Sequence, residues 1–238
     1  MIKESVGALK SLLLFNSRRQ FRLWQFYWAK DKVYHESKTN PSLSEIFLGL
    51  GWDVEGDSDV EFDLDAFAFL LGANDKLISD SHLIFYKNLT SPDPSQSVQH
   101  MGDNSTGVGE GDDGVIKVNL KRVPADVQKM VFAVTIFEAE ERKQNFGQVK
   151  NAFVRLVNDQ TQEEVLHYDL VEKYSVETAL IMAELYRQDG GWALKAVGTA
   201  HKGGAQALID RYAAPPQSAT NARQPAINWR YRVAASNK

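Results

Sequence analysis

The chain has 238 residues, 43% of them hydrophobic, and contains no cysteine; this is enough apolar material for a substantial core without covalent staples. Lack of thiols excludes disulfides, thiolate zinc sites and iron–sulfur clusters, and is compatible with a reducing cytoplasm, the location expected here. The net charge of −4 conceals an acidic middle near −14 between two basic ends, because residues 1–40 carry eight Lys or Arg against three acids and residues 211–238 carry five against none; such a domain repels nucleic acid and gains from bound divalent cations.

Residues 8–30, ALKSLLLFNSRRQFRLWQFYWAK, interleave Leu, Phe and Trp with Arg and Lys and hold no acid. Their apolar runs fall far short of the roughly 18 residues that a membrane-spanning helix needs, and no secretory cleavage pattern follows. A helical extension over residues 1–36 is expected. Three readings of it stand: a basic amphipathic helix on the anionic inner-membrane surface, a helix docked on the domain, or an unusual start-site extension.

Beyond it, strand-length apolar runs rich in β-branched and aromatic residues occupy 46–50, 62–71, 82–86, 115–120, 130–137, 152–157 and 165–170, each bounded by turn residues. That rhythm predicts an all-β domain, a sandwich of two sheets with short helices. The EAEERKQ stretch at 138–144 predicts an exposed turn or short helix, and NFGQV at 145–149 a turn that sets up the next strand. TALIMAELYR at 178–187 has helical propensity, yet the turn at 188–191 and the run at 192–197 favour a hairpin arm. Apolar positions at helical spacing in 204–212 predict a closing helix, and the Pro, Ser and Asn-rich residues 213–238 a flexible tail.

Two acidic stretches carry the chemistry. Residues 53–65, DVEGDSDVEFDLD, hold seven carboxylates and no base, and run directly into AFAFLL. Asp63 and Asp65 stand two apart at a predicted strand start and therefore on one face. Residues 99–114, QHMGDNSTGVGEGDDG, space Asp103, Asn104, Glu110, Asp112 and Asp113 with five glycines, whose backbone freedom lets the acids converge. Converging carboxylates repel unless a cation lies between them. Calcium, which takes about six to eight oxygens in forgiving geometry, suits such a loop better than magnesium with its strict octahedron. A solvated surface turn is the plain alternative. His100, just before the loop, is a candidate supporting residue, and no histidine pair has the i, i+4 spacing of a helical zinc site.

GLGWD at 49–53, DLDAFAFLL at 63–71, IFYKN at 84–88, GDNSTGVGEGDD at 102–113, NFGQVKNAFVRLVN at 145–158 and ELYRQDGGWALKAVG at 184–198 together resemble the TerD family of tellurium-resistance and stress-response proteins. The resemblance spans residues 37–212. It implies a calcium-binding β-sandwich without established catalytic activity, holding more than one calcium ion through Asp63, Asp65, Asn88, Asp103, Asn104, Glu110, Asp112 and Asp113, with other stress-resistance proteins as partners. Two positions depart from the pattern: Lys87 stands where the family has a second asparagine, and Gly114 where it often has a glutamate. Fewer or weaker calcium sites than in a typical member are therefore expected. Paired carboxylates also suit general acid–base work, so a metal-dependent phosphoester hydrolase is the alternative to a binding or scaffold protein.

Overall fold

The computed structural model describes residues 33–35, 44–53, 62–103, 112, 114–169 and 176–214. Alternating apolar strands build two antiparallel sheets whose inner faces share one core. The six-stranded sheet has the order β1 (Val33–His35), β11 (Gly191–His201), β10 (Ala179–Gln188), β7 (Lys129–Ile136), β3 (Leu64–Leu71), β4 (Leu83–Ile84). The five-stranded sheet runs β5 (Val98–Asp103), β6 (Gly114–Asn119), β2 (Glu45–Asp53), β8 (Lys150–Asn158), β9 (Glu164–Asp169).

Side-chain alternation assigns each residue its face. Ile46, Leu48 and Leu50 of β2 meet Leu64, Ala66, Ala68 and Leu70 of β3 in the inter-sheet core. The other register of β3 is also apolar: Phe67, Phe69 and Leu71 form a second cluster on the outer face of the six-stranded sheet. Strands buried on both faces read as continuous apolar runs, and here the second cover is helix α2 (Gly204–Tyr212), which contributes Leu208, Ile209 and Tyr212. Tyr212 packs on Phe69 with ring centroids 5.0 Å apart.

The two-sheet all-β architecture, the β10–β11 hairpin and the closing helix agree with the sequence reading. Within 178–187, residues 179–187 are strand despite their helical propensity, because β10 is hydrogen-bonded on both sides, to β7 and β11, and packing outweighs propensity. Three details differ. The predicted strand at 82–86 shrinks to Leu83–Ile84, since Asp80–His82 winds into a single 3-10 turn and Phe85 turns back to bridge Asn88. Val98–Asp103, read in the sequence as loop from Gln99 onward, is an edge strand whose Val98 and His100 are buried. Val33–His35, ahead of the expected domain start at residue 37, pairs with β11. EAEERKQ contains the short helix α1 (Ala139–Arg142), and Asn145 and Gln148 cap the following Phe146–Gln148 turn reciprocally. Residues 8–30 and 215–238 lie outside the described residues; among those described, no helix is long and apolar enough to cross a membrane.

Candidate functional site

Asp63 and Asp65 are the two carboxylates that the fold buries most deeply at the start of β3, at 5% and 2% exposure. Asp63 stands one residue before the strand, its carbonyl accepting from the Phe137 amide, and Asp65 pairs in register with Thr135 of β7. Asp65 belongs to the outer register with Phe67 and Phe69. It helps line a cavity of about 580 Å³ with Thr135, Thr178, Tyr86, Phe137 and Glu138.

Asn88 lies in the turn that closes next to this region. Its amide nitrogen donates to the carbonyls of Leu83 at 2.7 Å and Ser81 at 3.0 Å, which fixes the amide plane. Lys87 lays its ammonium over the Tyr86 ring, 5.5 Å from the centroid, a cation–π placement.

The acidic loop begins and ends in regular structure. The backbone of Asp103 closes β5 opposite Gly114 of β6. Asn104, Glu110 and Asp113 lie outside the described residues. Asp112 is held by Arg155 of β8, which donates from Nε to Oδ1 at 2.8 Å and from Nη2 to Oδ2 at 3.0 Å, a two-pronged fork. Those bonds to Asp112, against the cost of burial, raise the Arg155 guanidinium above its ordinary pKa. Arg155 also reaches Glu164 of β9, at 3.6 Å. The Asp112 side chain is 6% exposed and lies over Gly49 of β2, where any Cβ would overlap its carboxylate.

His100 is buried on β5 and accepts the Gly102 amide at Nδ1, 3.1 Å away. That nitrogen serves the strand end.

Among the eight candidates, Asp63 and Asp65 come together at the head of β3, whereas Asp112 lies on the other sheet. Two residues outside the candidate set receive Asp112: Arg155, within NAFVRLVN, and Gly49, within GLGWD. The available signal was a lone arginine in the otherwise apolar run 152–157. For a hard cation the donor set is chemically apt, carboxylates and an amide oxygen without a sulfur. No group of three or more His, Cys, Asp or Glu that could hold a metal is formed among the described residues.

The TerD domain model matches residues 29–212. The tellurium resistance protein TerD of an Alcaligenes species is 51% identical over 176 residues, covering 74% of this chain and 91% of that protein. General stress protein 16U of Bacillus subtilis (strain 168) is 49% identical over 185 residues, covering 77% and 95%. In three dimensions, the crystal structure of a homologue of telluride resistance protein (TerD) from Streptomyces coelicolor A3(2) superposes with a TM-score of 0.59 at 18% identity, over 73% of this chain and 99% of that one, a likeness of fold. The chain belongs to the TerD domain family of tellurium-resistance and stress-response proteins.

Proposed function

We propose that this protein binds calcium through its acidic segments and acts in tellurite or general stress resistance as a binding or scaffold protein, without turnover of its own. The observation that carries the reading is the burial of Asp63 and Asp65 at the head of β3, in a chain whose family relatives include tellurium-resistance proteins. Removing carboxylates from water is costly, and a divalent cation offsets that cost. Asp63, Asp65 and the oxygen of Asn88 would contribute from the described residues, with Asp103, Asn104, Glu110 and Asp113 from the glycine-rich loop. Bound calcium would stabilise the folded form by mass action and order the acidic connection, so occupancy could present or withdraw a surface for a partner. A cytoplasmic location fits the thiol-free composition. Resistance is then indirect, because a chain without cysteine has no thiolate with which to hold tellurite.

Isothermal titration of the metal-stripped protein with calcium, with magnesium at matched ionic strength, tests the proposal. Saturable calcium binding with little magnesium response is the expected result, and the D63N/D65N variant should lose it. A flat calcium titration of the unmodified chain refutes the reading. Metal-dependent phosphoester turnover that vanishes in the same variant would replace it with the hydrolase alternative.

A further inference from the structure

Asp112 and Asp65 lie on opposite outer faces of the sandwich. Leu64, Ala66, Ala68 and Leu70 of β3 fill the shared core, so Asp65 projects from the opposite, outer side of the six-stranded sheet with Phe67 and Phe69. Ile46, Leu48 and Leu50 of β2 fill the same core from the other sheet, so Gly49 faces outward there, and Asp112 rests on Gly49. Two stacked sheets stand about 10 Å apart, whereas calcium holds its oxygens at about 2.3 to 2.6 Å. One ion cannot take both carboxylates. Each Asp112 oxygen accepts a hydrogen bond from the same guanidinium, which holds the carboxylate against the five-stranded sheet.

We propose that Asp112 is the anchor of the acidic loop and not one of its calcium ligands, with Arg155 as the positioning residue and Gly49 as the seat. Gly49 and Arg155 are direct cross-strand neighbours on β2 and β8, so the glycine leaves a hollow beside the guanidinium. A carboxylate arriving from the strand entry at Gly114 fills that hollow. With Asp103 paired to Gly114 at the other end, both ends of the connection from Asn104 to Asp113 are pinned to the five-stranded sheet. Pinning lowers the ordering cost of ion binding by the remaining acids. The functional consequence rests on the calcium reading; the anchor itself does not.

The test compares D112N, R155Q, G49A and the reciprocal exchange D112R/R155D by calcium titration and by amide hydrogen exchange of the metal-free chain over Gly114–Asn119. Each of the first three variants should lower calcium affinity about tenfold with the number of bound ions unchanged, and each should speed exchange at the start of β6. G49A is informative because it alters neither charge nor donor oxygen. The reciprocal exchange should recover affinity to within about threefold, and R155K, which keeps the charge but loses the fork, covers the case in which R155Q does not fold. An exchanged variant as weak as D112N, or the loss of one bound ion in D112N, would overturn the anchor and make Asp112 a ligand. Unaltered hydrogen exchange in all variants would also overturn it. A flat titration of the unmodified chain, by contrast, defeats the calcium reading while hydrogen exchange still decides the anchor.

Discussion

Asp93 shows how much a single side chain can organise. In the SPDPSQS turn it accepts from the hydroxyls of Ser91, Ser95 and Ser97 and from the Ser97 amide, the last two at 2.9 and 3.0 Å. Burial alone would raise its carboxyl, but these four donors outweigh burial and hold it at about 2. An unfolded aspartate titrates near 3.9. Below that value the unfolded chain binds the proton and the folded turn resists it, so this contribution is complete above about pH 4 and is lost as pH falls toward about 2. Acid unfolding of D93N, followed by circular dichroism, should therefore show a shallower dependence over that window than the unmodified chain. The candidate acids differ in how plainly they could be read from residue types. Asp63 and Asp65 were legible as a pair because two positions in a strand share a face. Asp112 was legible as an acid in a glycine-rich loop, but its partner lies 43 residues away on another strand, and no local pattern announces that pairing.

At the scale of elements, α2 is the clearest case of a segment whose purpose lies in what it covers. Its Leu208, Ile209 and Tyr212 are buried against Phe69, Ala133 and Ile181 on the outer face of the six-stranded sheet. Leu208 is 1% exposed, so L208A should cost about 2 to 4 kcal/mol of unfolding free energy, as deletions of fully buried leucine side chains do. Chemical denaturation checks this, and a loss below about 0.5 kcal/mol would mean the helix detaches readily. The β10–β11 hairpin shows a complementary device at its other end. Arg187 lies over Trp192, 4.5 Å from the ring, and donates to the carbonyls of Val123, Pro124 and Val127, tying the hairpin tip to the turn before β7. The helical propensity of this stretch is overruled because Leu180, Met182, Ala183 and Leu185 fill the inter-sheet core while Ala179 and Ile181 join the outer cluster, the alternation passing through a register shift between Ile181 and Ala183.

Across the whole molecule, charge is the organising quantity. The acidic middle, near −14 between its basic ends, stores self-repulsion that either specific cations or a screening atmosphere reduces. Without calcium, raising monovalent salt from about 10 to 150 mM, which shortens the Debye length from about 30 to 8 Å, should raise the Tm. With saturating calcium the same salt step should raise it less, because bound ions already offset the repulsion. Differential scanning calorimetry of the two series checks the prediction, and a Tm insensitive to both calcium and salt would place the acids too far apart to interact.

The sequence by itself determined the strand rhythm, the closing helix, the family and the chemistry of the acidic segments. Each rests on short-range information: alternation along a strand, turn residues at its ends, and side-chain types whose oxygen donors suit hard cations. Only the tertiary structure decided that Asp112 and Asp65 lie on different sheets, that Val98–Asp103 completes a sheet edge, and that Gly49 and Arg155 receive Asp112. Those facts depend on which strands become neighbours. Strand order in a sandwich is set by the joint burial of two inner faces, a property of the assembled sheets that no single stretch of chain contains.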